Sequence, residues 1–112
     1  MQAGLIQQLS SKLSGDQRRY LRGLAHGLKP IVQVGQQGVT EMVVQQLNIA
    51  LYDHELVKVK VNNTYSGTIE EVAVALTDST ESACVQKIGH ILVFYKANPD
   101  EPKIELMPSK GN

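Results

Sequence analysis

The stretch whose residue types could do chemistry is Gly35-Gln36-Gln37-Gly38, set between the apolar run Ile31, Val32, Val34 and a helical pattern opening near Thr40. A Gly-x-x-Gly turn from strand to helix leaves several backbone N–H groups unobstructed by Cβ atoms. With the positive end of a helix dipole behind them, such donors suit an anionic oxygen such as a phosphate. So short a pattern also occurs as a plain tight turn with nothing bound. Glu41, a carboxylate just past the turn, would oppose an anion unless it points away. Gln36 and Gln37 add amides that donate and accept, suited to sugar hydroxyls or base edges.

A second set of donors lies upstream. On a helix, Arg18, Arg22, His26 and Arg19 fall within about 100° of one another, opposite Tyr20, Leu21 and Leu24. No acidic residue shares that sector, whereas a solubilising face ordinarily mixes signs. Lys29 follows the helix, and Lys58 and Lys60 share one side of a later strand, where they could equally be solubilising. Other reactive patterns are missing. No lysine follows the glycines as in a P-loop, and GxG spacing for a dinucleotide is absent. Cys84 stands alone in a strand pattern and reads as a small buried hydrophobe. His26, His54 and His90 lack short metal-ligand spacing, and no serine has a nucleophile-elbow context. The expectation is a protein that is not an enzyme and carries no metal and no cofactor.

At 112 residues the chain is long enough for one domain with its own core. No apolar run approaches the roughly 20 residues that span a bilayer, and no basic-then-apolar leader opens the chain, so a cytoplasmic protein is expected. Net charge is zero, which argues against indiscriminate coating of nucleic acid. Basic residues outnumber acidic ones by seven to four through Val61, and acidic outnumber basic by seven to four thereafter.

Pattern and punctuation indicate the elements that carry these groups. Residues 1–13 read as a loosely held lead-in or short helix. Ser14 with Gln17 makes a capping box, and Gly27 then Pro30 end the first helix. A strand is expected over 31–34 and a helix over 40–52, with Thr40 as its cap. Residues 55–61 alternate, with Val57, Val59 and Val61 on one face. Thr68 with Glu71 suggests a second capping box and a third helix, broken near residues 78–82. Residues 83–88 and 91–95 read as a hairpin about Gly89-His90. The order is an N-terminal helix, then β-α-β-α-β-β: an α/β fold of the α+β two-layer kind on a four-stranded mixed sheet. The domain is placed at 14–97. The tail over 98–112 holds Pro99, Pro102 and Pro108, with a brief edge strand at 104–106 and otherwise mobile chain.

The segment from Leu21-Arg22-Gly23-Leu24-Ala25-His26-Gly27-Leu28-Lys29-Pro30 through Gly35-Gln36-Gln37-Gly38-Val39-Thr40-Glu41 resembles the opening signature of the YhbY family, the stand-alone bacterial CRM (chloroplast RNA splicing and ribosome maturation) domains. His54-Glu55-Leu56-Val57-Lys58-Val59-Lys60, Val85-Gln86-Lys87-Ile88-Gly89 and Leu92-Val93-Phe94-Tyr95-Lys96 resemble later blocks in the same order. The resemblance implies an RNA-binding domain, folded like the C-terminal domain of a bacterial translation initiation factor and linked with precursors of the large ribosomal subunit. Carried over by position, the RNA-facing residues would be Gly35, Gln36, Gln37 and Gly38 in the loop, Arg18, Arg19 and Arg22 on the helix, and Lys29, Lys58 and Lys60; Thr40 beside the loop and His26 on the basic helix are candidates with them. The partner implied is ribosomal RNA or a large-subunit precursor, bound by a monomer, with no DNA and no membrane. This loop departs from a basic one in holding two glutamines and no lysine. The alternative is a protein-interaction module on the ribosome or a processing factor with little direct RNA contact.

Overall fold

The computed structural model describes residues 4–106. Three helices begin at side-chain caps. Ser14 Oγ accepts the Gln17 N–H at 3.1 Å and Gln17 Oε1 accepts the Ser14 N–H at 3.0 Å, so α2 (Gly15–Ala25) opens on a complete capping box. Thr40 caps α3 (Glu41–His54) through the Val43 N–H, and Thr68 caps α4 (Ile69–Thr80) through the Glu71 N–H. The second box is only half formed, because the Glu71 carboxylate accepts from the Tyr65 hydroxyl at 3.4 Å. The break expected from residue 78 comes later. Ser79 and Thr80 hydroxyls donate back to the Ala75 and Leu76 carbonyls at 2.7 and 2.6 Å, so they join the helix, which ends at Glu81 in a left-handed conformation. The first thirteen residues include a short helix, α1 (Leu5–Leu9), whose Ile6 and Leu9 pack on the core.

Strands β1 (Val32–Val34), β2 (Leu56–Val61), β3 (Ala83–Ile88) and β4 (Ile91–Tyr95) form one mixed sheet in the order β1-β2-β4-β3. β1 pairs parallel with β2, and β4 runs antiparallel between β2 and β3. The α+β class, the element order and the mixed sheet are as the sequence indicates. The two layers need amending, because helices lie on both faces. Val32, Val34, Val57, Val59, Val61, Leu92 and Phe94 meet α3 and α4 in the main core. On the second face Leu56, Val85, Val93 and Tyr95 meet Leu21 and Ala25 of α2. The reason is in β2: its second face carries a buried leucine at one end and lysines toward the other, so α2 covers only the leucine end.

The tail is held differently from the edge strand expected. Residues 104–106 form no strand; Ile104 and Leu106 pack on the α2 core, and residues 107–112 lie outside the described chain. Their anchor is Glu55, fully buried between α3 and β2. Its carboxylate accepts N–H bonds from Asn98 at 2.6 Å, Lys103 at 2.7 Å and Ile104 at 2.6 Å.

The pairing directions fix where function can gather. β1, β2 and β3 point the same way, so the loop after β1, the loop after β2 and the β3–β4 hairpin share one end of the sheet. The N-termini of α3 and α4 start from that end too. In open α/β sheets the carboxyl ends of co-directional strands are where ligands bind.

Candidate nucleic-acid interface

The two glycines of the loop after β1 do different things. Gly38 closes the turn, its N–H donating to the Gly35 carbonyl at 3.0 Å, and it holds φ +75°. A Cβ there would lie 2.7 Å from the Tyr65 ring, so Gly38 is glycine to adopt that conformation and admit Tyr65. Gly67 flanks the same ring, where a Cβ would strike the Tyr65 hydroxyl and the Glu71 carboxylate. Gly35 has open space where a Cβ would go. Gln36 and Gln37 are exposed, and neither makes a hydrogen bond among the described residues. The donors on offer are therefore at residues 35–37, with the start of α3 close behind. Thr40 is occupied as the cap of α3, its hydroxyl oxygen accepting at 3.2 Å.

The basic residues divide in the same manner. Arg18 donates to the Leu13 and Ser10 carbonyls at 2.7 and 3.2 Å and fastens the turn between α1 and α2. Arg19 forms an ion pair with Asp16 at 2.8 Å, so an acid does reach the face read as wholly basic. Arg22 and Lys29 make no ion pair or hydrogen bond through their side chains among the described residues, and His26 is exposed at the end of α2. Lys58 Nζ donates to the Leu28 carbonyl at 3.0 Å, tying the chain after α2 to β2. Lys60 is exposed on the same face of β2, about 7 Å further along the strand toward the loop end. The end of α2, Lys58, Lys60 and the glycine loop thus follow one another along β2. The first turn of α2, with Arg18 and Arg19, stands apart beside α1.

The CRS1 / YhbY (CRM) domain matches residues 13–96. The chain belongs to this family. A Haemophilus influenzae protein named "RNA-binding protein" is 45% identical over 94 residues, covering 84% of this chain and 94% of that one. The Bacillus subtilis "Probable RNA-binding protein YqeI" is 42% identical, covering 84% and 98%. The solution structure of the hypothetical protein SAV1595 from Staphylococcus aureus superposes with a TM-score of 0.71 at 38% identity, covering 85% of this chain and 99% of that one.

Several features of this CRM domain escape a reading of the sequence. Tyr20 and Leu24, placed with Leu21 on the packing side of α2, remain 45% and 40% exposed. The buried line runs instead through Leu21 and Ala25, next to Arg18. Tyr65 stands in no motif of the sequence, yet its ring packs between Gly38 of the glycine loop and Gly67 of the loop after β2. Its signal was the pair Gly38 and Gly67, which makes sense only once both are seen to flank one ring. Cys84 is buried, and burial pushes its thiol up to about 12. Among the described residues, no group of His, Cys, Asp and Glu could hold a metal ion, and no helix is long and apolar enough to cross a membrane.

Proposed function

We propose that this CRM domain binds structured RNA in the cytoplasm as a monomer, holding backbone phosphate with residues 35–37 and extending the contact through Lys60, Lys29, His26 and Arg22. The observation that carries the reading is the unbonded donor set at residues 35–37, placed at the carboxyl ends of β1 and β2 ahead of α3. Supporting it, relatives covering most of the chain bear the name RNA-binding protein. Ribosomal RNA, as a large-subunit precursor, is the RNA that the YhbY likeness favours. Arg18, Arg19, Lys58, Gly38 and Thr40 contribute by holding the scaffold and by adding positive field, since their polar groups already have partners. Exposed aromatic residues are too few for a single-strand stacking platform, so backbone and shape dominate.

The variant that tests the loop is Gly35→Asp, because position 35 has room for a side chain and position 38 has none. In titrations of large-subunit ribosomal RNA at two salt concentrations, wild type should bind in a salt-sensitive manner and Gly35→Asp about tenfold more weakly. Equal binding by both would move the site away from the loop. If neither binds, while association with ribosomal particles survives RNase, the protein-interaction module becomes the correct account.

A further inference from the structure

Beside the glycine loop lies a cleft of about 300 Å³ lined by Lys60, Val61, Asn62, Asn63 and His90. We propose that this cleft receives one unpaired nucleotide of the bound RNA, its base read by the Asn62, Asn63 and His90 side chains and its phosphate met by Lys60. The inference rests on the RNA-binding reading above and adds to it a place where base identity is sensed.

Position comes first. The Asn62 N–H donates to the Val34 carbonyl at 2.8 Å, so the wall of the cleft is bonded to the residue immediately before Gly35. An RNA strand whose phosphate sits on the loop would pass this opening with its next nucleotide. The chemistry of the lining fits a base and its phosphate. The lining side chains include an ammonium, two amides and an imidazole, with no carboxylate among them. Amides and imidazole can both donate and accept, as base edges require, and lysine suits phosphate. Lys60 makes no ion pair or hydrogen bond through its side chain among the described residues.

The walls are also held in place. Asn62 Oδ1 accepts from the Thr64 N–H and hydroxyl, both at 3.0 Å, which leaves the amide NH₂ free for a ligand. The Val61 N–H donates to the His90 carbonyl at 2.8 Å and ties the hairpin to β2. A polar group fixed before binding discriminates better than one that must be ordered by it. From Lys60 one register row runs through Ile91 to Ile88, two strands away, across the part of the sheet that α2 leaves uncovered. Ile88, about 10 Å from Lys60 along that row, is 49% exposed and continues an apolar surface outside the cleft. The cleft lies at the small end of ligand sites, room for a nucleotide that has left its stack but not for a base pair. Base-specific recognition of RNA depends on such unpaired nucleotides.

The test uses an RNA duplex and the same duplex carrying a bulge of unpaired nucleotides, titrated by fluorescence anisotropy. Wild type should bind the bulged RNA about tenfold more tightly, with an affinity that changes as the bulged base is changed. Asn63→Ala combined with His90→Ala, both at exposed positions and checked for folding by circular dichroism, should bind both RNAs with the wild-type duplex affinity. Gly35→Asp should weaken both RNAs alike and keep the preference, which separates the loop from the cleft. Equal affinity of wild type for the two RNAs, or a preference that survives the double substitution, overturns the inference alone. Failure of wild type to bind either RNA overturns the RNA-binding reading and this inference with it.

Discussion

The two glycines of one short motif carry separate duties, and stability measurements should separate them. Gly38→Ala meets both a left-handed backbone and the Tyr65 ring, so it should cost about 1–2 kcal/mol in urea unfolding. Gly35→Ala meets neither and should stay within about 0.5 kcal/mol of wild type. The arginines of α2 divide likewise. Arg22 makes no ion pair or hydrogen bond through its side chain among the described residues, so Arg22→Glu should weaken RNA binding across sequences and reduce the salt slope by about 1 or more. Arg18→Ala takes the guanidinium from the Leu13 carbonyl and leaves the Ser10 carbonyl with the Leu13 N–H alone, so it should cost about 1 kcal/mol of stability, with a smaller effect on RNA affinity than Arg22→Glu. Unfolding curves and salt-series titrations on the same proteins would check both. A glycine or an arginine in the sequence announces a capability; its neighbours in space decide which one is used.

At the scale of elements, what was legible in the sequence is what lies close along the chain. Ser14 with Gln17, the caps at Thr40 and Thr68, the alternation of Val57, Val59 and Val61, and the Gly89-His90 turn each act over a few residues, and each is found in place. The tail is the contrary case, because Glu55 grips residues 43 to 49 positions away. A glutamate between a helix and a strand gives no local hint of burial, and Glu55 adds a positive φ of 64°. Burial opposes its charge, but the N–H groups of Asn98, Ile104 and Lys103, with the Lys103 ammonium, outweigh it and hold the carboxyl below its ordinary 4.5. A depressed carboxyl favours the folded state while it is ionised. That contribution is complete above pH 4.5 and is lost as pH falls through the lower folded value. Glu55→Gln should therefore lower stability at neutral pH by about 1–3 kcal/mol and flatten the acid dependence below pH 4.5. Urea midpoints across that range, with Ile104 amide exchange as a reporter of tail release, would show it; an unchanged acid profile would remove Glu55 as the clamp.

Zero net charge conceals a molecule with two unlike faces. Helices α3 and α4 carry Glu41, Asp53, Glu70, Glu71 and Asp78 and no lysine or arginine. The opposite layer carries Arg18, Arg19, Arg22, Lys29, Lys58 and Lys60 against the acids Asp16, paired with Arg19, and Glu105 of the tail. The sequence shows only a basic first half and an acidic second half, and the fold redistributes them. α3 belongs to the basic half by position, yet it crosses to the acidic layer because β1 and β2 are parallel and their connection must pass over one face of the sheet. Such a field should orient an approaching polyanion toward the loop, β2 and the end of α2, and away from the exposed Met42 and Ile49 of α3. Backbone amide shifts of isotopically labelled protein, followed by NMR as a large-subunit ribosomal RNA fragment is added, test this most directly. The account predicts changes concentrated at residues 35–37, Lys60, Asn62 and the end of α2, with Met42, Ile49 and Val74 unmoved. Changes confined to the outer faces of α3 and α4, or none at RNA concentrations that saturate a relative's binding, would contradict it.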